Sequence, residues 1–276
     1  MLLVVGATGI LGTEICRLVA EAGRPVRALV RASADPARVE ALRAMGAELV
    51  TGDLRDRASL DRACAGAGAV ISTAATTGAR LPDDDIARTD RDGAMQLVDA
   101  ALAARVRRFV YVSFTGNMEI PSPFRDAKRD VERHLIASGL AYTILRPSVF
   151  LEAWISPAAG FDWDAGRAQL LGDGDRPVSW VSVLDVARFA VDCVDDPAAH
   201  DRVIELGGPE ALTAAEVVRT FEVVAGRPFT VTRVPEEALA GRWHAAEHPL
   251  QRSFAARSSS ATRSTCATRS PRSRGR

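Results

Sequence analysis

The feature that most constrains the fold is a glycine-rich turn within the first dozen residues. Leu2–Val5 is a short apolar run typical of a buried strand, and it leads directly into the segment Gly6–Gly12, which reads GATGILG. Helical spacing of apolar residues then continues over Leu11–Ala22 and stops at Gly23. A strand, a glycine turn and a helix in this order place unpaired N–H groups and the positive end of a helix where a phosphate can bind. The alternative is a tight turn that holds no ligand.

Each glycine of the turn has a separate expected task. Gly6 permits a sharp turn, Gly9 lets the backbone approach a pyrophosphate, and Gly12 lets the helix pack closely on the strand. The expected dinucleotide contacts of this loop are Gly6, Thr8, Gly9, Ile10, Leu11 and Gly12.

Strand-like and helix-like stretches continue to alternate as far as about residue 149. Further strands are predicted at Pro25–Val30, Ala47–Val50, Ala69–Thr73, Arg108–Val112 and Ala141–Leu145. Helices are predicted between them at Pro36–Met45, Ser59–Cys64, Ile86–Ala104 and Phe124–Ser138. Short apolar strands separated by helices are typical of parallel βαβ units. The pattern therefore predicts an α/β fold, a doubly wound parallel sheet of Rossmann type with ligand at the carboxyl ends of its strands.

The chain divides into three regions by pattern. Residues 1–149 form the predicted dinucleotide-binding domain, and residues 150–254 a smaller substrate lobe with elements that return to the sheet. In that lobe we predict a helix at Val183–Val194, a strand at Arg202–Leu206 and a helix at Thr213–Ala225 capped by Thr213 and Glu216. Residues 255–276 contain no acidic residue and almost nothing apolar, so we expect a disordered or non-native tail. Two interpretations of this tail stay open. It is either a basic tail that binds nucleic acid or a non-native segment produced when GC-rich DNA is translated out of frame.

Composition narrows the class of protein. The formal net charge is zero, which favours neither nucleic acid nor an anionic membrane as a partner. Four scattered cysteines without a C-x-x-C pair argue against a zinc site and a disulfide framework, so we expect no bound metal. The apolar start is too short for a signal peptide, and no apolar run reaches the length of a membrane span. The expected location is the cytoplasm.

The end of the second predicted strand bears on cofactor choice. NAD-binding sites commonly place a carboxylate there for the ribose 2′-hydroxyl, whereas this chain has Arg31 and no acidic residue before Asp35. Because arginine offers a planar donor fork to a phosphate, NADP(H) is favoured over NAD(H), unless Arg31 is simply a solvated surface residue. Asp53 either accepts from the adenine amino group or caps the following helix. Leu54 and Thr73 complete the expected cofactor contacts.

Several segments together carry a resemblance to a known family. They are the glycine turn, Gly52-Asp53-Leu54, Asp92-Gly93, Phe109–Ser113, Ala127-Lys128, Ser138–Pro147 and Glu205–Pro209. Over roughly residues 1–251 the chain resembles the atypical short-chain dehydrogenase/reductases, particularly the NmrA-like group. The resemblance implies an NAD(P)-binding Rossmann fold with a small C-terminal substrate lobe. It also implies one of two functions, since some members reduce small organic substrates and quinones while others sense dinucleotides without demonstrated turnover.

The chain departs from the family at one position. Short-chain dehydrogenases generally use Tyr-x-x-x-Lys, with the tyrosine as proton donor and the lysine on the nicotinamide ribose. The matching residues here are Phe124 and Lys128, which i, i+4 spacing puts on one helical face, and phenylalanine has no proton to give. Lys128 is expected to bind the ribose, the alternative being an exposed helix lysine. Ser113 and Thr115 follow the fifth strand, where a hydroxyl can reach the nicotinamide or a substrate carbonyl.

The substrate end is expected to be apolar. Large aromatic residues are concentrated where the lobe begins: Phe150, Trp154, Phe161, Trp163 and Trp180. They suit either a pocket for a flat aromatic or quinone-like substrate or ordinary packing of the lobe. Two functions follow, an NADP(H)-dependent oxidoreductase that acts on a small-molecule substrate, with Lys128 and Ser113 as its catalytic candidates, or a non-catalytic NAD(P) sensor that acts through a protein partner.

Overall fold

The computed structural model describes residues 1–76, 85–116, 122–235 and 237–238. The basic tail at residues 255–276 and the two histidines His244 and His248 lie outside this part of the chain. The interpretations offered for the tail therefore stay predictions.

A sheet of seven parallel strands forms the centre of the molecule. In chain order its strands are β1 (Leu2–Val5), β2 (Val26–Val30), β3 (Glu48–Thr51), β4 (Ala69–Ser72), β5 (Arg108–Val112), β6 (Tyr142–Pro147) and, after the small strands described below, β11 (Arg202–Leu206). Their spatial order is β3-β2-β1-β4-β5-β6-β11, and every neighbouring pair runs parallel. The predicted doubly wound Rossmann-type sheet is confirmed.

Helices cover both faces of this sheet. They are α1 (Ile10–Glu21), α2 (Pro36–Ala44), α3 (Arg57–Cys64), α4 (Ala94–Ala103), α5 (Pro123–Ala137) and α7 (Val183–Asp195). Alternate residues of β1 belong to two separate cores: Val4 packs with residues of α1 and α7, whereas Leu3 packs with residues of α3, α4 and α5. A strand buried on both sides explains why the sequence there is a continuous apolar run.

The strand order reverses between β1 and β4. From β1 the chain moves outward to β2 and β3, and then crosses to the other side of β1 to build β4, β5 and β6. In open α/β sheets a ligand binds in the crevice at the carboxyl ends of strands on either side of such a reversal. The loops after β1 and β4, and after their neighbours, are therefore where a site is expected.

The second region combines small sheets with elements that join the main sheet. Its strands are β7 (Val149–Phe150), β8 (Phe161–Asp162), β9 (Arg167–Leu171), β10 (Pro177–Val181), β12 (Ala211–Thr213) and β13 (Thr230–Val234). Its other helices are α6 (Leu151–Trp154) and α8 (Ala214–Ala225). The predicted capping box is present, because Thr213 accepts from the Glu216 amide and the Glu216 carboxylate accepts from the Thr213 amide.

The long helix predicted at Ile86–Ala104 differs from expectation at its start. Residues Ile86–Gly93 form a π-helix that runs into α4. Gly93 sits against the chain after β3, where an added Cβ would lie 2.9 Å from both the Cβ and the carbonyl oxygen of Leu54. Such π-turns are uncommon and often occur beside functional sites. Among the described helices, none is both long and apolar enough to span a bilayer.

Candidate functional site

The glycine turn after β1 is shaped by close backbone contacts. Gly6 has φ +86°, a left-handed conformation that favours glycine. An added Cβ on Gly12 would lie 2.1 Å from the Gly6 carbonyl oxygen, so a side chain at this position clashes with the turn itself. Gly6 therefore makes the predicted sharp turn, and Gly12 lets the start of α1 pack directly against that turn.

Gly9 is less tightly enclosed than the other two glycines. Its φ of −78° suits any residue, and an added Cβ would meet only the Gly6 carbonyl oxygen, at 3.3 Å. Gly9 is the N-cap of α1 and offers no side-chain acceptor, so first-turn N–H groups are left for a ligand. Leu11 is half-buried in this turn and Ile10 is largely exposed. These features fit a phosphate group lying against the turn.

Three arginines lie near the ends of β1, β2 and β3. Arg38 of α2 donates to the Thr8 carbonyl oxygen at 2.8 Å. Arg55 donates to both carboxylate oxygens of Asp53, at 3.0 and 3.1 Å. These bonds from Arg55, aided by the charge of the half-buried Arg31, hold the pKa of Asp53 below its usual range. Arg38 and Arg55 thus add positive charge to the site predicted around Arg31.

The capping role considered for Asp53 is wrong. The N-cap of α3 is Asp56, and the Asp53 carboxylate accepts from the backbone and side chain of Arg55 instead. Leu54 is buried against the core that contains α3 and α4. The Thr73 hydroxyl donates to the carbonyl oxygens of Val5 and Gly6, at 3.2 and 3.4 Å. Leu54 and Thr73 therefore support the loops from within the protein.

Lys128 is buried at the carboxyl ends of β4 and β5. Only 2% of its surface is exposed, so the alternative of an exposed helix lysine is wrong. Its Nζ donates to the carbonyl oxygens of Ala74, at 3.0 Å, and Val112, at 3.5 Å. Burial lowers the pKa of Lys128, while the negative charges of Asp90 and Glu132 act in the opposite direction. An ammonium in this place has a third donor to offer.

Two residues of this site carry signals that motif spacing alone does not reveal. Lys128 is the only lysine in a chain whose lysine and arginine residues total 35. Lysine suits sites that need a compact charge or an adjustable pKa, so a lone buried lysine points to a functional position.

The second residue is Asp90, which is 1% exposed and accepts from the Thr76 amide at 3.1 Å and from the Thr76 hydroxyl. Asp90 thereby fixes the loop that presents Ala74 to Lys128.

An apolar wall stands beside Lys128. The Phe124 ring centroid lies 5.4 Å from the Lys128 Nζ, as expected for residues on one helical face. Phe114, from the loop after β5, packs edge-on against Phe124 with ring centroids 5.6 Å apart. Tyr111 of β5 is 1% exposed, and its ring centroid lies 4.9 Å from the Lys128 Nζ. Burial raises the pKa of Tyr111 well above its ordinary value.

Ser113 is bound into a buried network that the sequence did not predict. Its hydroxyl donates to Glu132, which is 3% exposed and also accepts from Arg129 and Arg146. Burial works to raise the pKa of Glu132, but the bonds from Arg146 and Ser113 and the charge of Arg129 hold it below its usual range. The Thr115 carbonyl oxygen accepts from Arg129 at 2.8 Å. The Ser113 hydroxyl is therefore bonded to a buried carboxylate of the protein itself.

The aromatic residues of the second region do not form one pocket. Trp154 and Trp180 pack edge-on at 5.6 Å and line a cleft of about 190 Å³. Phe150 packs against the core that contains α1 and α7. Phe161 belongs to the lobe's own core with Phe221 and Phe229, and Trp163 is 54% exposed. Ordinary packing therefore accounts for Phe161, whereas Trp163 faces solvent over much of its surface.

One histidine and three cysteines of the described residues are accounted for by pairing or by burial. His134 lies 2.7 Å from the carboxylate of Asp99, at the surface between α4 and α5. Cys16, Cys64 and Cys193 are buried free thiols, and burial raises the pKa of Cys64 to about 11. Within the same part of the chain no three His, Cys, Asp or Glu residues are grouped so as to hold a metal ion.

Comparison with known proteins agrees with this architecture. A (4-alkanoyl-5-oxo-2,5-dihydrofuran-3-yl)methyl phosphate reductase from Streptomyces griseus is 36% identical over 234 residues, 83% of this chain and 75% of that protein. The photosystem II assembly factor Ycf39 from Trieres chinensis is 30% identical over 236 residues, 85% of this chain and 72% of that protein. The fold matches that of Citrobacter sp. triphenylmethane reductase complexed with NADP(H), with a TM-score of 0.78, 19% identity and coverage of 98% and 93%.

The family follows from these matches. The model of the NmrA-like family matches residues 1–255, which includes the glycine turn, the helix that carries Lys128 and the small sheets of the second region. The resemblance inferred from the sequence motifs is confirmed. This chain belongs to the NmrA-like family.

Proposed function

We propose that the chain is an NADPH-dependent reductase that delivers hydride to a small carbonyl, enone or quinone-like acceptor. The observation that carries the proposal is the position of Lys128, buried at the carboxyl ends of β4 and β5 beside the apolar wall of Phe114 and Phe124. Bound NADPH supplies the hydride in such reactions. The chain supplies the positions of the two reactants.

The residues fit a dinucleotide that crosses the strand-order reversal. The turn at Gly9 and the start of α1 suit the pyrophosphate. Arg31 and Arg38 suit a 2′-phosphate, which favours NADP(H) over NAD(H), and Asp53 suits the adenine amino group. Lys128 lies where its third donor can bind the nicotinamide ribose.

The missing tyrosine bears on the acceptor. Reduction of a simple ketone needs a proton at the carbonyl oxygen, and Phe124 cannot give one. Hydride transfer to an enone or quinone produces a delocalised anion, which depends less on a dedicated donor. The Streptomyces griseus relative is named for a substrate that contains such an unsaturated carbonyl ring. A flat unsaturated acceptor is therefore the proposed substrate class, with Phe124 and Thr115 as its candidate contacts beside Lys128.

The second candidate is a non-catalytic dinucleotide sensor that acts through a protein partner. Two observations favour it: Phe124 stands where short-chain dehydrogenases generally have a proton donor, and one relative is a photosystem II assembly factor. In either case a cytoplasmic location fits the three buried free thiols of the described residues.

One experiment separates the two candidates. The purified chain is supplied with NADPH and a panel of quinones, enones and ketones, and the binding of NADP+ and NAD+ is measured in parallel. Acceptor-dependent oxidation of NADPH, strongest with quinones or enones, is the expected result. NADPH binding without oxidation by any acceptor would favour the sensor.

A further inference from the structure

The loop after β5 is held by a chain of ionic hydrogen bonds from two other strands. Arg146 of β6 and Glu205 of β11 are directly paired neighbours in the parallel sheet. The Arg146 Nη1 donates to one Glu205 oxygen at 3.1 Å, and the other Glu205 oxygen accepts from the Gly116 amide at 3.2 Å. Three adjacent strands thus meet at one loop, at the carboxyl edge of the sheet.

We propose that Arg146 and Glu205 are positioning residues that lock residues 113–116 in place and thereby determine which acceptors the site takes. We call this arrangement the loop clamp, and it comprises Glu132, Arg146, Glu205 and Gly116. The proposal rests on the proposed reductase function, since it assigns the clamp to the acceptor side of that site.

The inner end of the clamp is the buried carboxylate of Glu132. Arg146 donates to both oxygens of Glu132, with the Nη2 at 2.5 Å and the Nε at 3.1 Å, and a third donor of the same guanidinium reaches Glu205. Because the guanidinium is planar, one orientation satisfies all three bonds. Arg146 therefore sets the position of Glu205 relative to the protein interior, and lysine cannot reproduce this geometry.

The outer end of the clamp is a close approach of the Gly116 backbone to Glu205. An added Cβ on Gly116 would lie 2.7 Å from Glu205 Oε1, so the backbone approaches the carboxylate closely. Arg129 holds the same loop from the other side by donating to the carbonyl oxygens of Phe114 and Thr115, both at 2.8 Å. The loop is bound through its backbone at three successive residues.

Because Phe114 belongs to this loop, the position of the loop determines the position of the apolar wall formed by Phe114 and Phe124. Phe114 packs edge-on against Phe124, whose ring lies beside the Lys128 Nζ. A shift of the loop changes where Phe114 stands, and a displacement of about 1 Å at such a wall is enough to alter productive binding. The glycine turn and the arginines near β2 lie on the other side of the strand-order reversal and do not take part.

The test compares Glu205→Ala and Glu205→Gln with Glu48→Gln. Glu205 and Glu48 have the same exposed fraction, 47%, and each pairs with an arginine, but Glu48 lies on β3, distant in strand order from the loop. We expect Glu205→Ala to raise the acceptor KM about fivefold, in keeping with a half-exposed pair. The dissociation constant for NADPH should stay unchanged. Glu205→Gln keeps an acceptor for the Gly116 amide and should have a smaller effect, and Glu48→Gln none.

Hydrogen exchange at the Gly116 amide gives a readout that needs no turnover. Exchange at this exposed amide should be slower in the wild-type chain than in Glu205→Ala, with Glu48→Gln matching the wild type. An unchanged Gly116 exchange rate, or an equal KM change in Glu48→Gln, would overturn the loop clamp. A wild-type chain that binds NADPH but reduces no acceptor would instead overturn the reductase function and the clamp's specificity role with it, whatever the exchange rate.

Discussion

The two sides of the strand-order reversal are built in different ways. Around β1 the site is made of backbone: Gly6 and Gly12 are fixed by conformation and by contacts with main-chain atoms. Around β5 it is made of side chains: Lys128 is buried and donates to backbone carbonyl oxygens, and Glu132 and Arg146 form an ionic pair beside it. The backbone side suits a ligand group common to many proteins, a pyrophosphate, whereas the side-chain side can vary with the acceptor.

The largest expected effect tests the backbone side. Gly12→Ala places a Cβ 2.1 Å from the Gly6 carbonyl oxygen, so we expect a loss of about 3 kcal/mol in the free energy of unfolding. A Cβ on Gly9 would lie 3.3 Å from the same oxygen, a milder crowding, so Gly9→Ala should cost about 1 kcal/mol. It should nevertheless weaken NADPH binding about tenfold, because the proposed pyrophosphate lies against the backbone of this turn.

Urea denaturation and NADPH titration of both variants check this contrast. A Gly12→Ala chain as stable as the wild type would show that the turn is less constrained than its contacts indicate. Wild-type NADPH affinity in Gly9→Ala would remove the pyrophosphate from this position.

The next effect tests the side-chain side. Lys128→Met replaces the lysine by an unbranched side chain of similar length without the ammonium. We therefore expect weaker NADPH binding and turnover slower by up to about a hundredfold. Arg133→Met, on the same helix but 71% exposed, is the matched control and should behave as the wild type. Steady-state kinetics and NADPH titration decide the matter. Lys128→Met with wild-type affinity and rate would refute the role of Lys128.

A smaller effect concerns cofactor choice. Arg31→Ala should lower the preference for NADP+ over NAD+ about tenfold or more, because a charge-assisted bond to phosphate contributes roughly 1.5–3 kcal/mol. Arg43→Ala, an exposed arginine of α2 paired with Glu40, is the control. The ratio of the two dissociation constants is the measurement, and an unchanged ratio in Arg31→Ala contradicts the assignment.

The smallest effect is a titration. Since burial lowers the pKa of Lys128, the folded chain loses this proton at a pH where the unfolded chain, with a pKa near 10.5, still holds it. Stability should therefore rise with pH between the folded pKa and 10.5, and Lys128→Met should lack that rise. Because the chain has one lysine, NMR of a chain labelled with ¹³C-lysine follows this group alone. A midpoint at or above 10.5 would contradict the prediction.

The sequence predicted the two sides unequally, and the reason is physical. The tasks of Gly6 and Gly12 depend on residues within one turn, so spacing along the chain is enough to identify them. Arg146 and Glu205 are 59 residues apart and meet only because β6 and β11 are neighbours in register. Helix α5 likewise brings Ser113 and Glu132 together across 19 residues. Local sequence patterns do not predict such pairs, whereas the presence of a single lysine in the composition does point to Lys128.

The measurement that tests the central claim most directly is NADPH oxidation by the wild-type chain with a panel of quinones, enones and ketones. We predict tight NADPH binding and oxidation that depends on the acceptor, with enones or quinones ahead of simple ketones because Phe124 provides no proton. Tight NADPH binding with no oxidation above the acceptor-free rate, across the whole panel, would contradict the reductase function.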